Sequence, residues 1–106
     1  MLFRSGEVIF GGVASANNLD ANLSAGQTLT IGSGITVHSG VGGQNGTIEA
    51  FKPISNQGTI NADTSGRTIT INQAGPVTNA AGGLMVASGG TLTISPTTFK
   101  IGRAHV

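Results

Sequence analysis

The sequence predicts an all-β protein, a parallel β-solenoid of about four stacked coils. Three observations predict it: a recurring Thr-x-Thr-Ile stretch, a near-constant interval between its copies, and a composition rich in turn-forming residues. The stretch occurs at 28–31, 68–71 and 91–94, with a weaker copy at 47–50. The first threonines lie 19, 21 and 23 residues apart. Short strands of one pattern at such an interval are typical of stacked repeats, with coils of roughly 19–23 residues.

The composition supports short strands and turns and excludes several classes of partner. Charged residues make up 8% of the chain, against about 25% in an average domain, and there are 18 glycines. A formal charge of +1 is too small to predict binding to nucleic acid or to an anionic membrane. The absence of cysteine excludes disulfides and thiolate metal sites. No apolar run reaches the roughly 18 residues of a membrane helix, so we expect no membrane insertion in this segment.

The two ends resemble translated sequencing-adapter sequence rather than native protein. Residues 1–5 can be encoded by GTG CTC TTC CGA TCT, whose reverse complement is AGATCGGAAGAGCAC. Residues 101–106 can be encoded by ATC GGA AGA GCA CAC GTC, which continues that same string if Lys100 is encoded by AAG. One oligonucleotide read on opposite strands therefore explains both ends. We expect residues 1–5 and 100–106 to be adapter-derived and residues 6–99 to be a solenoid fragment of a longer protein.

The first quarter of the chain has a weak strand pattern. An apolar run over 7–13 is broken by two glycines and predicts one short strand. The following small, polar stretch contains Asn17-Asn18, which marks a turn. Leu19 and Leu23 are its expected inward residues.

From Leu23 onward, polar and apolar residues alternate in short runs, the signature of half-buried strands. The strand at 28–31 is followed by a glycine turn and by a second alternating strand at 35–38. A glycine-rich turn that ends in Asn45-Gly46 leads into a third strand at 47–51. The alternation predicts these inward residues: Leu29, Ile31, Ile35 and Val37.

The last two coils correspond most closely, and each is predicted to contain three strands. Inward and turn positions are aligned as follows: Ile54 with Val77, Asn56 with Asn79, Ile60 with Leu84, Ala62 with Val86, Ile69 with Leu92, and Ile71 with Ile94. One such coil offers about five to seven inward apolar side chains, each contributing about 1.5–3 kcal/mol when buried. A single coil cannot bury them, but a stack can. A β-sandwich is the competing fold, but it does not require the repeated order of strands and turns.

The segments 56–62 and 65–71, Asn-Gln-Gly-Thr-Ile-Asn-Ala and Ser-Gly-Arg-Thr-Ile-Thr-Ile, resemble repeats of large bacterial surface and secreted proteins. These include autotransporter-passenger-like and filamentous-haemagglutinin-like β-helices, and the similarity covers roughly residues 23–94. The resemblance implies a right-handed parallel β-helix that is exported from a bacterium. It carries over no catalytic or binding residue, because the repeat motif contains none.

Outward threonines form the first candidate surface. The predicted files are Thr28, Thr47, Thr68 and Thr91, and beside them Thr30, Glu49, Thr70 and Thr93. Such an array resembles the ice-binding face of some antifreeze proteins, in which spaced hydroxyl and methyl groups order water. Glu49 interrupts the second file and the coil lengths vary, and threonine is also favoured on any exposed strand. Ice binding is therefore the weaker interpretation.

The remaining polar residues are interpreted as structural or solvated. Asn56 and Asn79 are expected to stack as an asparagine ladder that caps turns. The acids Glu7, Asp20, Glu49 and Asp63 are expected to be isolated, because the last three fall at different positions in their coils. His38 is expected to be a lone outward surface residue. The glycines at 32–34 and 40–43 are expected to form turns rather than a phosphate loop, and Lys52 and Arg67 to aid solubility or discourage edge pairing.

The sequence therefore predicts no catalytic, cofactor-binding or metal-binding residue, no cofactor and no enzymatic activity. The predicted role is that of a structural segment, a stalk or adhesin-like passenger, in an extracellular or cell-surface bacterial repeat protein. Its expected partners are neighbouring coils of the full-length protein, and a surface glycan or a host matrix component remains an open alternative. The alternative functions are a rung segment of a carbohydrate-active β-helix enzyme and, less favoured, an ice-binding solenoid. Clustered acids and aromatic residues on adjacent rungs would distinguish the enzyme.

Overall fold

Twelve short strands make up the regular secondary structure in the described part of the chain. A computed structural model describes residues 5–12, 17–21, 23–50, 52–72, 75–96 and 98–101. The strands are β1 (Gly6–Ile9), β2 (Asn17–Asp20), β3 (Leu29–Ile31), β4 (Ile35–His38), β5 (Gly46–Glu49), β6 (Ile54–Asn56), β7 (Thr59–Ala62), β8 (Thr68–Ile71), β9 (Pro76–Asn79), β10 (Leu84–Ala87), β11 (Thr91–Ile94) and β12 (Thr98–Ile101). The adapter interpretation of the ends falls mostly on residues 1–4 and 102–106, which lie outside the described residues.

The strands form three parallel sheets, and each coil contributes one strand to each sheet. Sheet A has the order β1-β4-β7-β10, sheet B the order β2-β5-β8-β11, and sheet C the order β3-β6-β9-β12. Coils 1 to 4 are therefore β1–β3, β4–β6, β7–β9 and β10–β12. This arrangement confirms the predicted parallel β-solenoid of about four coils. The right-handed winding stays a prediction, in line with the strong preference of parallel crossovers for that hand.

Most coils span 22 or 23 positions, within the predicted 19–23, but others span 25 or 29. Gly6 lies beside Ile35, 29 positions later, whereas Pro76 lies beside Thr98, 22 positions later. The short predicted interval arose because the recurring stretch does not always occupy the same sheet. Its copy at 28–31 enters β3 of sheet C, and the other three copies lie on sheet B. Nineteen residues therefore cover less than one full coil.

The core is a column of inward aliphatic side chains shared by the three sheets. Leu29, Ile31, Ile35 and Val37 face inward as predicted, and Leu19 and Leu23 pack against the core. Full burial is confined to the middle of the stack, where isoleucines from successive strands meet: Ile48, Ile54, Ile60, Ile69 and Ile71. In coil 4, Met85, Leu92 and Ile94 are only partly buried. Apolar burial therefore stabilises the central coils most.

The register of β10 differs from the prediction by one residue. Ile60 lies beside Met85, not Leu84, and Ala62 lies beside Ala87, not Val86. Leu84 therefore points outward and is 52% exposed. The turn between β9 and β10 is two residues longer than the turn between β6 and β7. The predicted alignment allowed for one extra residue, so the second one shifts the pairing of β10 by one position. A slip of one residue moves every side chain of a strand to the opposite face. The other predicted alignments, which involve β9 and β11, are confirmed.

Glycine is required at one position where coils 1 and 2 approach each other closely. The buried Phe10 ring lies against Gly46 in the next coil, and a Cβ on Gly46 would stand 2.2 Å from a ring carbon. No side chain fits at that distance, so only glycine allows Phe10 to close the core beside β5. The predicted turn glycines also lie between strands, with positive φ at Gly40 and Gly42.

Candidate functional site

A pair of stacked asparagines connects coils 2 and 3, as the sequence predicted. Asn56 and Asn79 lie beside each other at the ends of β6 and β9, and the Asn56 amide donates to Asn79 Oδ1 at 2.9 Å. The same amide also donates to the carbonyls of Gly58 and Leu84, while Asn56 Oδ1 accepts the Gly58 N–H. The pair therefore satisfies backbone groups at two turns, and its polar atoms are directed to the protein rather than to a ligand.

The threonine files differ from both predicted files. On sheet B, Thr68 lies beside Thr91, but Thr47 lies beside Thr70 rather than Thr68. Thr28 lies directly before β3 of sheet C and is in none of the strands. In coil order, the file observed on sheet B is Asn18, Thr47, Thr70 and Thr93.

Glu49 does not interrupt this file. It lies beside Asp20 on the neighbouring strand β2, and Thr30 lies beside Ser55 on sheet C. The expectation that Asp20 and Glu49 occupy different positions in their coils is therefore wrong. Asp20 and Glu49 lie 29 positions apart, which is one full coil on sheet B. A repeat of 19–23 residues therefore assigns them to different positions in the coil. The result is two carboxylates on adjacent strands at one edge of the sheet.

His38 is not the lone surface residue that the sequence predicted. It ends β4, and its side chain is only 15% exposed between two carboxylates. Its Nδ1 lies 2.7 Å from Asp63 Oδ2, and its Nε2 lies within hydrogen-bond distance of Glu7 Oε2. Glu7 belongs to β1 and Asp63 directly follows β7, so one imidazole joins coils 1, 2 and 3. We call these three residues the histidine bridge.

Backbone groups hold the Asp63 side of the histidine bridge. Asp63 Oδ1 accepts the N–H of Gly40 at 2.8 Å, and the hydroxyl of Thr64 donates to the Gly40 carbonyl. Each of these contacts crosses from the turn after β7 to the turn after β4. Glu7 is more loosely placed, since its side chain is 53% exposed on an edge strand of sheet A.

The bridge shifts the pKa of two of its members. The hydrogen bond to Asp63 raises the pKa of His38 above its usual value, and the contact with Glu7 adds to this against the opposing effect of burial. Partial burial acts to raise the pKa of Asp63, but the Gly40 N–H and His38 outweigh it and leave that pKa below its usual value. Both shifts favour an imidazolium paired with a carboxylate.

The chemistry open to the histidine bridge is limited by its own contacts. A neutral imidazole has one N–H donor, whereas two ring nitrogens here face carboxylate oxygens. The protonated ring therefore fits the site, and neither nitrogen offers a free lone pair to a metal or a substrate. Within the described residues, no group of three or more His, Cys, Asp or Glu side chains is arranged to hold a metal ion.

Sequence reasoning missed this bridge, although a signal was present. Glu7 and His38 are 31 residues apart, and His38 and Asp63 are 25 apart, which are both close to one coil. A coil of 23 positions brings Asp63 near His38, but coils of 19–23 residues do not bring Glu7 there. Only the longer first coil aligns β1 with β4 and places Glu7 near His38.

No protein-family model, no curated protein and no solved structure matches the chain. Across the described ranges, no helix has the length and apolar character needed to cross a membrane.

Proposed function

We propose that this chain is a structural segment of a large bacterial extracellular or cell-surface repeat protein, in which its coils form part of a stiff stalk or adhesin-like passenger. The observation that supports the proposal is the unbroken parallel pairing of all three sheets through four coils. Each coil rests on its neighbours over all three sides, so bending requires several strand pairs to separate together. A stack of this kind resists bending and projects whatever is attached to it.

The outward faces also support a structural role. Threonine and serine fill most outward positions of sheets B and C, and charges are sparse. Strand threonines suit an exposed pleated surface without requiring a ligand. For an adhesive face, we propose a surface glycan or a host matrix component as the class of ligand, with no residue assigned to it.

We also propose that this segment is not catalytic. An enzyme of the carbohydrate-active β-helix type needs clustered acids and aromatic residues on adjacent coils. Asp20 and Glu49 lie beside each other on sheet B, and Glu7 and Asp63 come together at His38. Glu7 and Asp63 bind the imidazole, and Asp63 is also bound by the Gly40 amide. Asp20 and Glu49 lie on sheet B, whose strands contain no aromatic residue to stack on a sugar. General acid–base work requires a group that is free to exchange a proton with substrate. The test is reducing-sugar release from a panel of bacterial and plant polysaccharides, measured for the wild type and for the Asp63→Asn variant. Release by the wild type but not by the variant would favour the enzyme.

The decisive experiment for the stalk is to recover the reading frame of the parent gene and to express the protein that it encodes. We expect further coils on both sides, a secretion signal and an anchor or translocator. Electron microscopy should then show a rod whose length grows by about 4.8 Å for each coil. A compact particle, or a frame without further coils, would contradict the proposal.

Ice binding is a second candidate that one observation favours. The in-register threonines Thr47, Thr70 and Thr93 form a file that Glu49 does not interrupt. Ice recrystallisation inhibition by the wild type, lost in Thr70→Lys but kept in Thr78→Lys, would establish it. Thr78 is a matched control because it is outward on the neighbouring sheet C. No inhibition by the wild type would remove this candidate.

A further inference from the structure

The histidine bridge joins three coils through one ionisable ring. His38 lies on β4, which pairs with β1 on one side and with β7 on the other. The titratable groups that face its ring are Glu7 from β1 and Asp63 from the turn after β7. Its neighbours in register, Ile9 and Asn61, carry no charge.

The geometry requires a proton on each ring nitrogen when both carboxylates are ionised. Nδ1 donates to Asp63 Oδ2 at 2.7 Å, and Nε2 donates to Glu7 Oε2. When the ring loses one proton, one nitrogen still donates to its carboxylate. The lone pair of the other nitrogen then faces the second carboxylate. One of the two contacts then changes from attractive to repulsive.

We propose that His38 is a proton-dependent fastener of the coil stack: its imidazolium holds coils 1 and 3 to coil 2, and loss of one proton releases Glu7 and loosens β1. Glu7 is the carboxylate released because it is half exposed and can be hydrated at once. Asp63 keeps its contact because it is less exposed and is held by the Gly40 amide. The neutral ring therefore carries its proton on Nδ1.

Release of Glu7 acts on an edge strand, which has a strand partner on one side. β1 has one strand neighbour in the described part of sheet A, and the backbone bonds beside it, from Gly6 N to Gly34 O and from Phe10 N to His38 O, are both 3.0 Å. Loss of the side-chain contact leaves this ladder and the core packing of Val8 and Phe10 to hold the edge. The expected change is local opening of β1 rather than unfolding of the stack.

The raised pKa of His38 sets the direction of the effect. A group whose pKa is raised by folding stabilises the protein fully below its unfolded pKa of about 6.5, and this contribution disappears as pH rises through the folded pKa. The fastener is therefore closed in mildly acidic solution and open in alkaline solution.

The first test reads the ring directly. Long-range ¹H–¹⁵N NMR on the His105→Gln variant, which leaves one histidine, should show both ring nitrogens protonated at about pH 5.5 and Nδ1 alone protonated at about pH 8.5. The β1 amides should then exchange several-fold faster, after correction for intrinsic rates, while β8 amides should not. A neutral ring protonated mainly on Nε2 overturns the proposal.

The second test measures stability. We expect Tm of the wild type to fall by about 2–4 °C from about pH 5.5 to about pH 8.5, and Tm of His38→Gln to stay level. Glu7→Gln should lose part of this pH dependence. Asp20→Asn is the matched control, since it removes another exposed acid of coil 1 and should keep the full dependence. An equal pH dependence of Tm in the wild type and in His38→Gln overturns the proposal. If thermal unfolding is irreversible, the NMR experiment decides it.

Discussion

Asn56 donates its side-chain amide to Asn79 Oδ1 at 2.9 Å, one coil further along the stack. Asn56 is fully buried, whereas Asn79 is half-buried. The contact lies at the corner where sheet C turns into sheet A, and both residues also bind the backbone of the turns that follow them. The corner is thus held by side-chain amides in addition to backbone bonds between coils, from Ala80 N to Asn56 O and from Leu84 N to Gly58 O.

Removal of the buried amide should therefore be costly. We expect Asn56→Ala to lower the free energy of unfolding by about 2–4 kcal/mol, because several buried backbone and side-chain groups lose their partners. Asn79→Ala should cost less, since its site is more open. Urea denaturation followed by circular dichroism measures both, with the exposed Asn72→Ala as control. An Asn56→Ala cost no larger than that of Asn72→Ala would contradict this role.

The Phe10–Gly46 contact predicts a steric effect. Gly46→Ala places a Cβ 2.2 Å from a Phe10 ring carbon, and we expect a loss of about 1–3 kcal/mol in unfolding free energy from overpacking. Gly32→Ala is the matched control, since its Cβ would meet the Ile35 side chain at an ordinary 3.9 Å. Combining Gly46→Ala with Phe10→Leu should recover part of the loss. Additive costs in the double variant would show that the two sites do not touch.

The register of β10 can be tested by a pair of neighbouring substitutions. Leu84 points outward and Met85 packs against the core, so Leu84→Ser should change unfolding free energy by less than about 0.5 kcal/mol. Met85→Ser should cost at least about 1 kcal/mol through lost burial. Thermal denaturation of the two variants under one condition compares them. The reverse ranking would restore the alignment of Leu84 with Ile60.

The lowered pKa of Asp63 predicts how the stability of the stack changes in acidic solution. Its pKa is lower in the folded chain, so its ionised form stabilises the stack above the unfolded pKa of about 3.9, and this contribution is lost as pH falls through the folded value. Asp63→Asn should therefore flatten the decline in Tm below about pH 4 and should lower the pKa of His38. NMR titration and pH-dependent melting measure these effects, with Glu49→Gln as a control acid on another sheet. An unchanged His38 titration in Asp63→Asn would contradict the contact.

Coil 4 predicts self-association. Among the described residues, the outer edges of β10, β11 and β12 have no strand partner, and the apolar side chains beneath them are only partly buried. Such edges template pairing with other chains. Sedimentation velocity should show concentration-dependent association, which a lysine in place of the exposed Thr93 on β11 should reduce. A monodisperse monomer at all concentrations would contradict this prediction.

The fold was predictable because its signal is local. Alternation over three or four residues marks which side chains face inward, and Ile31, Val37 and Ile71 are buried as that pattern requires. The asparagine pair was predictable for the same reason, since Asn56 and Asn79 stand two positions after aligned core residues. Leu84 was placed wrongly because a longer turn changed the phase of its strand without changing its hydrophobic pattern.

The histidine bridge was not predictable from pattern alone. Glu7, His38 and Asp63 carry no shared motif, and each lies in a differently composed stretch. They meet because coil 1 spans 29 positions while the next coil spans 23 in the same sheet. The pairing of Asp20 with Glu49 arises in the same way.

The sequence by itself determined that this chain forms short strands, that their apolar residues face one side and that the strands stack in coils. These properties follow from side-chain alternation and turn chemistry, which act over a few residues. Only the tertiary structure decided which outward side chains become neighbours across coils. That depends on the length of every turn, because one extra residue changes the register and the face of all that follows in the strand.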